Sequence, residues 1–283
     1  MASNVSVITP CHNDGRYLQR NIESVRQSGR DYEHIIVDDG STDPGTLELL
    51  DSIADERVLV LHKARSGPAS ARNHGIRQAS GRYILNLDAD DMATSAPFEH
   101  GTQVLDRNES VDVVYGDYEY FGAVHRTIRA LEFCPFKMLF SNHVGIGSLY
   151  RRSAWEAVQG YAETGMIYED WQFWLKILAK GGGFRRVDAT FFRYFVRPSG
   201  KSFSDDRRYR TGFNQIRDSL PELYAPESLR RLAQASNLGP YERLYIQHAV
   251  PLLKRGRRSS LGKRLSWLAW TVARSQAHPV SQR

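Results

Sequence analysis

The segment GRYILNLDADDM, Gly81 to Met92, ends a short apolar run with three carboxylates, Asp88, Asp90 and Asp91, inside four residues. Charges at that spacing repel one another, and holding them at a strand end is costly unless something compensates. A divalent cation is the simplest compensation. Hard ions such as Mg²⁺ or Mn²⁺ bind carboxylate oxygen and keep open positions for phosphate. A second cluster, Asp38-Asp39-Gly40-Ser41, follows another apolar run, and Thr9-Pro10 closes a third. Either acidic cluster alone also reads as an ordinary turn whose carboxylates satisfy nearby backbone donors. Together, at the ends of successive strands, they suit a metal shared with a phosphate ester. A further acidic pair, Glu169-Asp170, precedes an aromatic-rich stretch; it suits either proton abstraction or simple complementation of a helix dipole. Other chemistries find little support. His12, His74 and His143 are scattered, no Cys/His spacing suggests zinc, and neither a G-x-x-x-x-G-K-[ST] loop nor a G-x-G-x-x-G fingerprint is present.

The elements that must position these residues follow from the hydrophobic pattern. Apolar, β-branched runs at 4–10, 34–39, 57–62, 83–87 and 111–121 read as strands. Between them, 16–27, 43–54 and 67–81 read as helices, with another near 96–107. Leu18, Ile22 and Val25 share one face of the first. Asp43 is a natural N-cap for the second, with Pro44 at its first position. Strands alternating with helices imply βαβ units and a parallel sheet. Ligands bind beyond the carboxyl ends of such strands, where each polar cluster falls. Further on, 145–150 reads as a strand and Ser153 with Glu156 as a capping box. A helix is expected over 169–182, with Trp171, Trp174, Leu175 and Leu178 on its core face, and 184–197 alternates like paired strands.

The chain has 283 residues, 41% hydrophobic, enough for one good-sized domain and an appendage. Two isolated cysteines, Cys11 and Cys134, point to a reducing compartment rather than a disulfide framework. MASNVSVITP has no secretory character, and no apolar run reaches about 18 residues, so neither export nor a membrane span is expected. The charge is uneven. Residues 205–283 hold 15 Lys/Arg and 6 Asp/Glu, a net of +9, against −3 for the rest. The stretch 252–276 is basic, with Leu261, Leu265, Leu268 and Val272 in a stripe near Trp267 and Trp270. Such a helix can lie in a lipid headgroup layer, or pack on the domain or a second subunit. Nucleic acid is not expected, because no recognition motif accompanies the charge.

VSVITPCHN, HIIVDDGSTD, GPASARNHGI, GRYILNLDADD and YEDWQFWLKI, in this order, resemble the successive motifs of the inverting family 2 glycosyltransferases. The resemblance covers roughly residues 4–200. It implies a GT-A fold: an α/β architecture with a Rossmann-like, mostly parallel central sheet flanked by helices. A helical, basic C-terminal extension lies outside it. The implied organisation is a catalytic domain over 1–204, with about 1–120 binding the nucleotide-sugar and about 121–204 carrying the acceptor site and the base. The extension is 205–283.

The resemblance also implies roles. Thr9 and Pro10 line the nucleoside pocket, and Asp39, beside Asp38, accepts the uracil N3–H. Arg72 lies on the nucleotide side. In Asp88-Ala89-Asp90, Asp88 lies nearer the ribose and shares with Asp90 the Mn²⁺ or Mg²⁺ ion; Asp91 assists or caps the turn. Asp170 is the base, supported by Glu169. Arg197, Lys201 and Ser202 lie in a segment that closes on the diphosphate. The implied reaction is a single displacement with inversion, from a nucleotide-sugar donor (UDP-linked) to a glycan, lipid-linked or other hydroxyl acceptor. QFWLK replaces the Q-x-x-R-W-type motif of processive synthases, so non-processive transfer is expected. The alternatives are a non-catalytic nucleotide-sugar or glycan-binding module on the same fold, and a phosphoacceptor receiver domain, which would leave YEDW unexplained. The expected setting is cytoplasmic, with peripheral contact at the inner face of the membrane through 252–276; a homo-oligomer is an open expectation.

Overall fold

The β-branched runs and the intervening amphipathic stretches fold as an α/β alternation. The computed structural model describes residues 4–29, 31–198, 206–236 and 238–239. In chain order these form β1 (Val5–Cys11), α1 (Gly15–Ser28), β2 (Tyr32–Asp39), α2 (Pro44–Ser52), β3 (Val58–Lys63), α3 (Pro68–Gln78) and β4 (Tyr83–Asn86). The acidic turn follows, then β5 (Met92–Ala93) and a π-turn at Pro97–Gly101 that runs into α4 (Thr102–Arg107). Next come β6 (Val113–Gly122), β7 (Arg126–Ile128), α5 (Pro135–Met138), β8 (Leu149–Arg151), α6 (Arg152–Ala157), α7 (Glu169–Ala179) and β9 (Phe184–Val196). Two helices, α8 (Asp206–Ser219) and α9 (Pro226–Gln234), complete the described elements. Asp43 caps α2, accepting the Thr46 N–H at 2.8 Å.

The described residues divide into two compact units, 4–130 with 144–198, and 131–143 with 206–239. The first is built on one sheet in the order β3-β2-β1-β4-β8-β6-β9-β5, with β7 on β6. Its half from β3 to β4 is parallel, and β8 enters antiparallel between β4 and β6. Val7, Ile8, Ile35, Ile36, Val37 and Ile84 are fully buried in it. Burying each such side chain is worth about 1.5–3 kcal/mol. Gly75 lets α3 lie flat on the sheet, since a Cβ there would meet Ile8 Cγ2 at 2.9 Å and Val37 Cγ2 at 3.0 Å.

In the second unit, the Phe140 ring sits 5.3 Å from Phe136, 6.2 Å from Phe213 and 6.4 Å from Tyr224. The Tyr209 and Tyr224 hydroxyls donate to the Phe140 and Leu139 carbonyls. Aromatic packing thus holds residues 131–143 to helices far along the chain.

Local expectations change in three places. Ser153 does not cap α6. Arg151 leaves β8 in extended conformation and enters the helix directly, so Ser153 lies within the first turn and Glu156 pairs with Arg152 at 3.2 Å. Residues 184–196 form one long strand rather than a pair, because β9 runs beside β6 with register shifts near Asp117. Within 145–150 only the end is strand; Gly145 and Gly147 pack on the Phe192 ring instead. No helix among the described residues is long and apolar enough to cross a membrane. The basic stretch 252–276, Lys201 and Ser202 lie outside the described residues.

Candidate active site

The carboxyl ends of β1, β2 and β4 lie side by side, since β1 pairs with both neighbours in parallel. β2 delivers Asp38 and Asp39. Asp39 is 4% exposed; its Oδ1 accepts from Lys63 Nζ and the Ser66 N–H, each at 2.9 Å, and its Oδ2 from the Gly67 N–H at 2.7 Å. Burial works against its charge, but these donors outweigh it and hold the carboxyl below its ordinary range. Asp38 accepts from the Ser41 N–H at 2.8 Å and faces His62 Nδ1 at 3.0 Å. Pro10 is partly exposed, whereas Thr9 is fully buried with its hydroxyl 2.8 Å from His34 Nε2.

β4 delivers the acidic turn. Its shape is set by α1: the Asn21 amide donates to the Asp88 and Asp91 carbonyls at 2.9 and 3.1 Å. Three carboxylates then take three directions. Asp88 Oδ1 meets Arg72 at 2.7 Å. Asp90 Oδ2 meets Arg197 at 2.7 Å, and the same guanidinium holds both Asp14 oxygens at 3.0 and 3.1 Å and lies over the Tyr17 ring. Asp91, 1% exposed, turns inward, where its Oδ1 accepts the Phe195 N–H at 2.9 Å and fastens the turn to β9. Ala89, between them, is buried. Burial, and then Asp88, push the Asp90 carboxyl up; burial with Asp88 and Asp90 raises Asp91 further.

Arg72 is 3% exposed, on α3, and bridges the acidic turn to a carboxylate 97 residues further along the chain than itself: Nη2 to Asp88, and Nη1 to Glu169 Oε1 at 2.8 Å. Burial opposes its charge, and the two carboxylates overcome that and hold it protonated. Asp170 follows Glu169 at the start of α7. Desolvation, reinforced by Glu169, raises its carboxyl to about 6. A carboxyl with that value is half-ionised near pH 6 and mostly ionised at neutral pH.

A family model for glycosyl transferase family 2 matches residues 6–169, and so takes in every one of these motifs up to Glu169. The chain belongs to glycosyl transferase family 2. An uncharacterised glycosyltransferase of Rickettsia felis is 29% identical over 230 residues, 75% of this chain and 36% of that protein. Glycosyltransferase GlyG of Streptococcus pneumoniae is 36% identical over 142 residues, 47% of this chain and 46% of GlyG. The chain thus spans under half the length of both. WfgD of Escherichia coli, a UDP-Glc:α-D-GlcNAc-diphosphoundecaprenol β-1,3-glucosyltransferase, is 27% identical over 208 residues, 72% of this chain and 80% of WfgD. Among solved structures, S. aureus TarS 1–349 with UDP-GlcNAc superposes with a TM-score of 0.62 at 16% identity, covering 98% of this chain and 82% of that one. A Pyrobaculum calidifontis mannosyltransferase with GDP-Man and Mn²⁺ gives 0.57 at 16% identity, covering 100% and 89%. The fold of this family 2 chain is therefore the GT-A α/β fold that its motifs imply.

Within that fold, a divalent cation suits the residues at the acidic turn. Asp88 and Asp90 are close enough to repel, and each has one oxygen on an arginine. No group of three His, Cys, Asp or Glu that could hold a metal occurs among the described residues. Two carboxylates with substrate phosphates completing the shell is the usual Mg²⁺ arrangement. Two site residues lie outside the motifs, Asp14 beside Arg197 and Lys63 on Asp39, while Asn73 lies inside GPASARNHGI next to Arg72 with no role assigned to it there. The Asn73 side-chain oxygen accepts from the Tyr161 N–H at 2.9 Å and Trp155 Nε1 at 3.0 Å; its NH₂ donates to the Tyr161 carbonyl at 2.9 Å and Glu163 at 2.8 Å.

Proposed function

We propose that this family 2 member is a non-processive, inverting glycosyltransferase that moves a sugar from a nucleotide-diphosphate donor, UDP-linked, to an acceptor hydroxyl. The observation that carries the reading is the Arg72 bridge, which draws the acidic turn of β4 and the Glu169-Asp170 pair of α7 into one charge network.

In this reading Asp39 and Pro10 hold the nucleoside, and Asp88 and Asp90 would hold a Mg²⁺ or Mn²⁺ ion. When bound, that ion supplies neutralisation of the charge that develops on the departing diphosphate. Asp170 accepts the acceptor's hydroxyl proton as its oxygen forms the new bond to the anomeric carbon. The bond from that carbon to the diphosphate oxygen breaks on the opposite face, and a nucleoside diphosphate leaves. One displacement inverts the anomeric configuration. Glu169 keeps Arg72 in place, and Arg72 keeps Asp88 oriented. Arg197 stands beside Asp90, where it can follow the diphosphate. The relatives fit this reading: WfgD is a UDP-Glc-dependent glucosyltransferase, and TarS binds UDP and UDP-GlcNAc.

The test is a thermal-shift screen of nucleoside diphosphates and nucleotide-sugars with and without Mn²⁺, followed by turnover with the stabilising donor. A ligand that binds only the folded chain raises its Tm. Metal-dependent stabilisation by one nucleotide class is expected. Absence of any stabilisation across the set removes the reading, and stabilisation without turnover reduces it to a binding module.

A further inference from the structure

β6 and β9 run parallel, with Tyr118 opposite Phe192 and Tyr120 opposite Tyr194. Side chains two apart on a strand share a face, so these four rings stand on one side of the sheet. They touch in sequence: Tyr118 stacks on Phe192 at 5.2 Å, Tyr118 meets Tyr120 at 5.6 Å, and Tyr120 meets Tyr194 at 5.7 Å. The other side of the same strands carries Phe121 and Phe195, packed around Arg20 and Tyr17 of α1. Phe192 is 4% exposed, pinned under Gly145 and Gly147, whereas the three tyrosines are partly exposed.

Its position gives this aromatic row meaning. β5, directly after the acidic turn, pairs with β9 at Arg193 and Phe192, and Asp91 binds the Phe195 N–H. Tyr194 therefore stands between the two points where the turn is fastened. The raised Tyr194 phenol agrees: burial is the first cause, followed by Asp91, Asp88 and Asp90. The nucleoside end at Asp39 on β2 is four strands from β6 and five from β9 in the sheet order, so a nucleobase is not the ring the row would meet.

The geometry points to Tyr118, Tyr120 and Tyr194 as a stacking platform for a pyranose ring of a carbohydrate acceptor. Tyrosine suits such a ligand, because its face takes the C–H side of a sugar and its hydroxyl can bond the sugar's own. This inference rests on the proposed function and names the acceptor class for it.

The test uses the 283-residue chain with UDP and Mn²⁺, probed by saturation-transfer NMR with methyl glucopyranosides and methyl N-acetylglucosaminides. Signal concentrated on the axial C–H protons of one sugar face is expected. Tyr120→Ala and Tyr194→Ala should weaken glycoside affinity about three- to tenfold, while Tyr120→Phe and Tyr194→Phe retain most of it. UDP stabilisation, read separately by thermal shift, must persist in each variant; where an alanine variant loses it, the leucine variant at that position decides. A wild-type chain stabilised by UDP that gives no glycoside signal overturns the platform and leaves the donor reading standing. Equal signal in wild type and the non-aromatic variants also overturns it. Absence of UDP stabilisation in wild type overturns the donor reading, and the platform as an acceptor site falls with it.

Discussion

The guanidinium of Arg72 stands between Asp88 and Glu169, 2.7 Å from one carboxylate and 2.8 Å from the other. Among the described residues Arg72 is the only cationic side chain paired with either carboxylate, and it is itself 3% exposed. Removing one partner of a buried ion pair strands the other, at a cost of about 3–5 kcal/mol. Here both carboxylates keep some exposure, so Arg72→Ala should lower stability by about 2–4 kcal/mol, measured by urea unfolding. Arg72→Lys, a point charge with no fork, should recover part of the stability and little of the turnover. Full donor turnover in the lysine variant would refute a bridging role.

Asp170 gives a pH prediction with two readouts. Its folded value of about 6 lies above the ordinary 3.8, so the folded protein favours the protonated form. That stabilisation is complete below about pH 4 and is lost as pH rises through about 6. Asp170→Asn, neutral throughout, should therefore gain Tm over wild type at pH 7.5 and show no such gain near pH 4. As a base, Asp170 must be ionised, so wild-type kcat/KM should rise through about pH 6 and level off above it. The asparagine variant should lose about 10²–10⁴ in rate while still being stabilised by UDP. Near-wild-type rates would remove Asp170 from the chemistry.

Much of this site is legible in the chain because strand ends announce themselves. An apolar run stopping at Asp38-Asp39 or Asp88 locates the sheet edge, and βαβ alternation brings those edges together. What the pattern does not carry is pairing over distance. The resemblance puts Arg72 on the nucleotide side, but only α3 laid on β1 and β2 buries it between two carboxylates. Asp91 looks equivalent to its neighbours, yet only the route of β9 decides that it binds the Phe195 N–H. Ser153 and Glu156 have capping-box spacing, but β8 runs into α6 without a break and uses that spacing up. Residues 131–143 have no strong period of their own; their rings find partners on α8 and in the turn before α9.

Arg197 and the proposed metal compete for Asp90. The guanidinium now neutralises Asp90 and Asp14 together. Without nucleotide, a divalent ion has to share or displace that contact. Arg197→Gln should therefore bind Mn²⁺ alone about two- to fivefold more tightly, given the modest worth of a partly exposed pair. The free-ion signal in electron paramagnetic resonance titration measures this directly. With UDP present the order should reverse, because the variant lacks a cation for the diphosphate. Weaker Mn²⁺ binding in the variant under both conditions would contradict the competition.

Asn73 has no role in the proposed chemistry, but it anchors the segment that leads to its residues. Its amide makes four hydrogen bonds, to Trp155, to both backbone groups of Tyr161, and to Glu163. These fix the start of the segment that leads to Glu169 and Asp170. Gly160 completes the fit: its φ of +70° is left-handed, and a Cβ there would lie 2.5 Å from Asn73 Oδ1. Asn73→Ala leaves buried groups unpaired, each costing about 1–3 kcal/mol, so a total loss of about 2–4 kcal/mol is expected in urea unfolding. Asn73→Asp keeps the acceptor side and loses both donations, one of them to a carboxylate it would then repel; it should fall at least as far near neutral pH and recover in part as pH falls toward 4. If Asn73→Ala left stability and the kcat/KM pH profile unchanged, the loop would have to be held by contacts other than these.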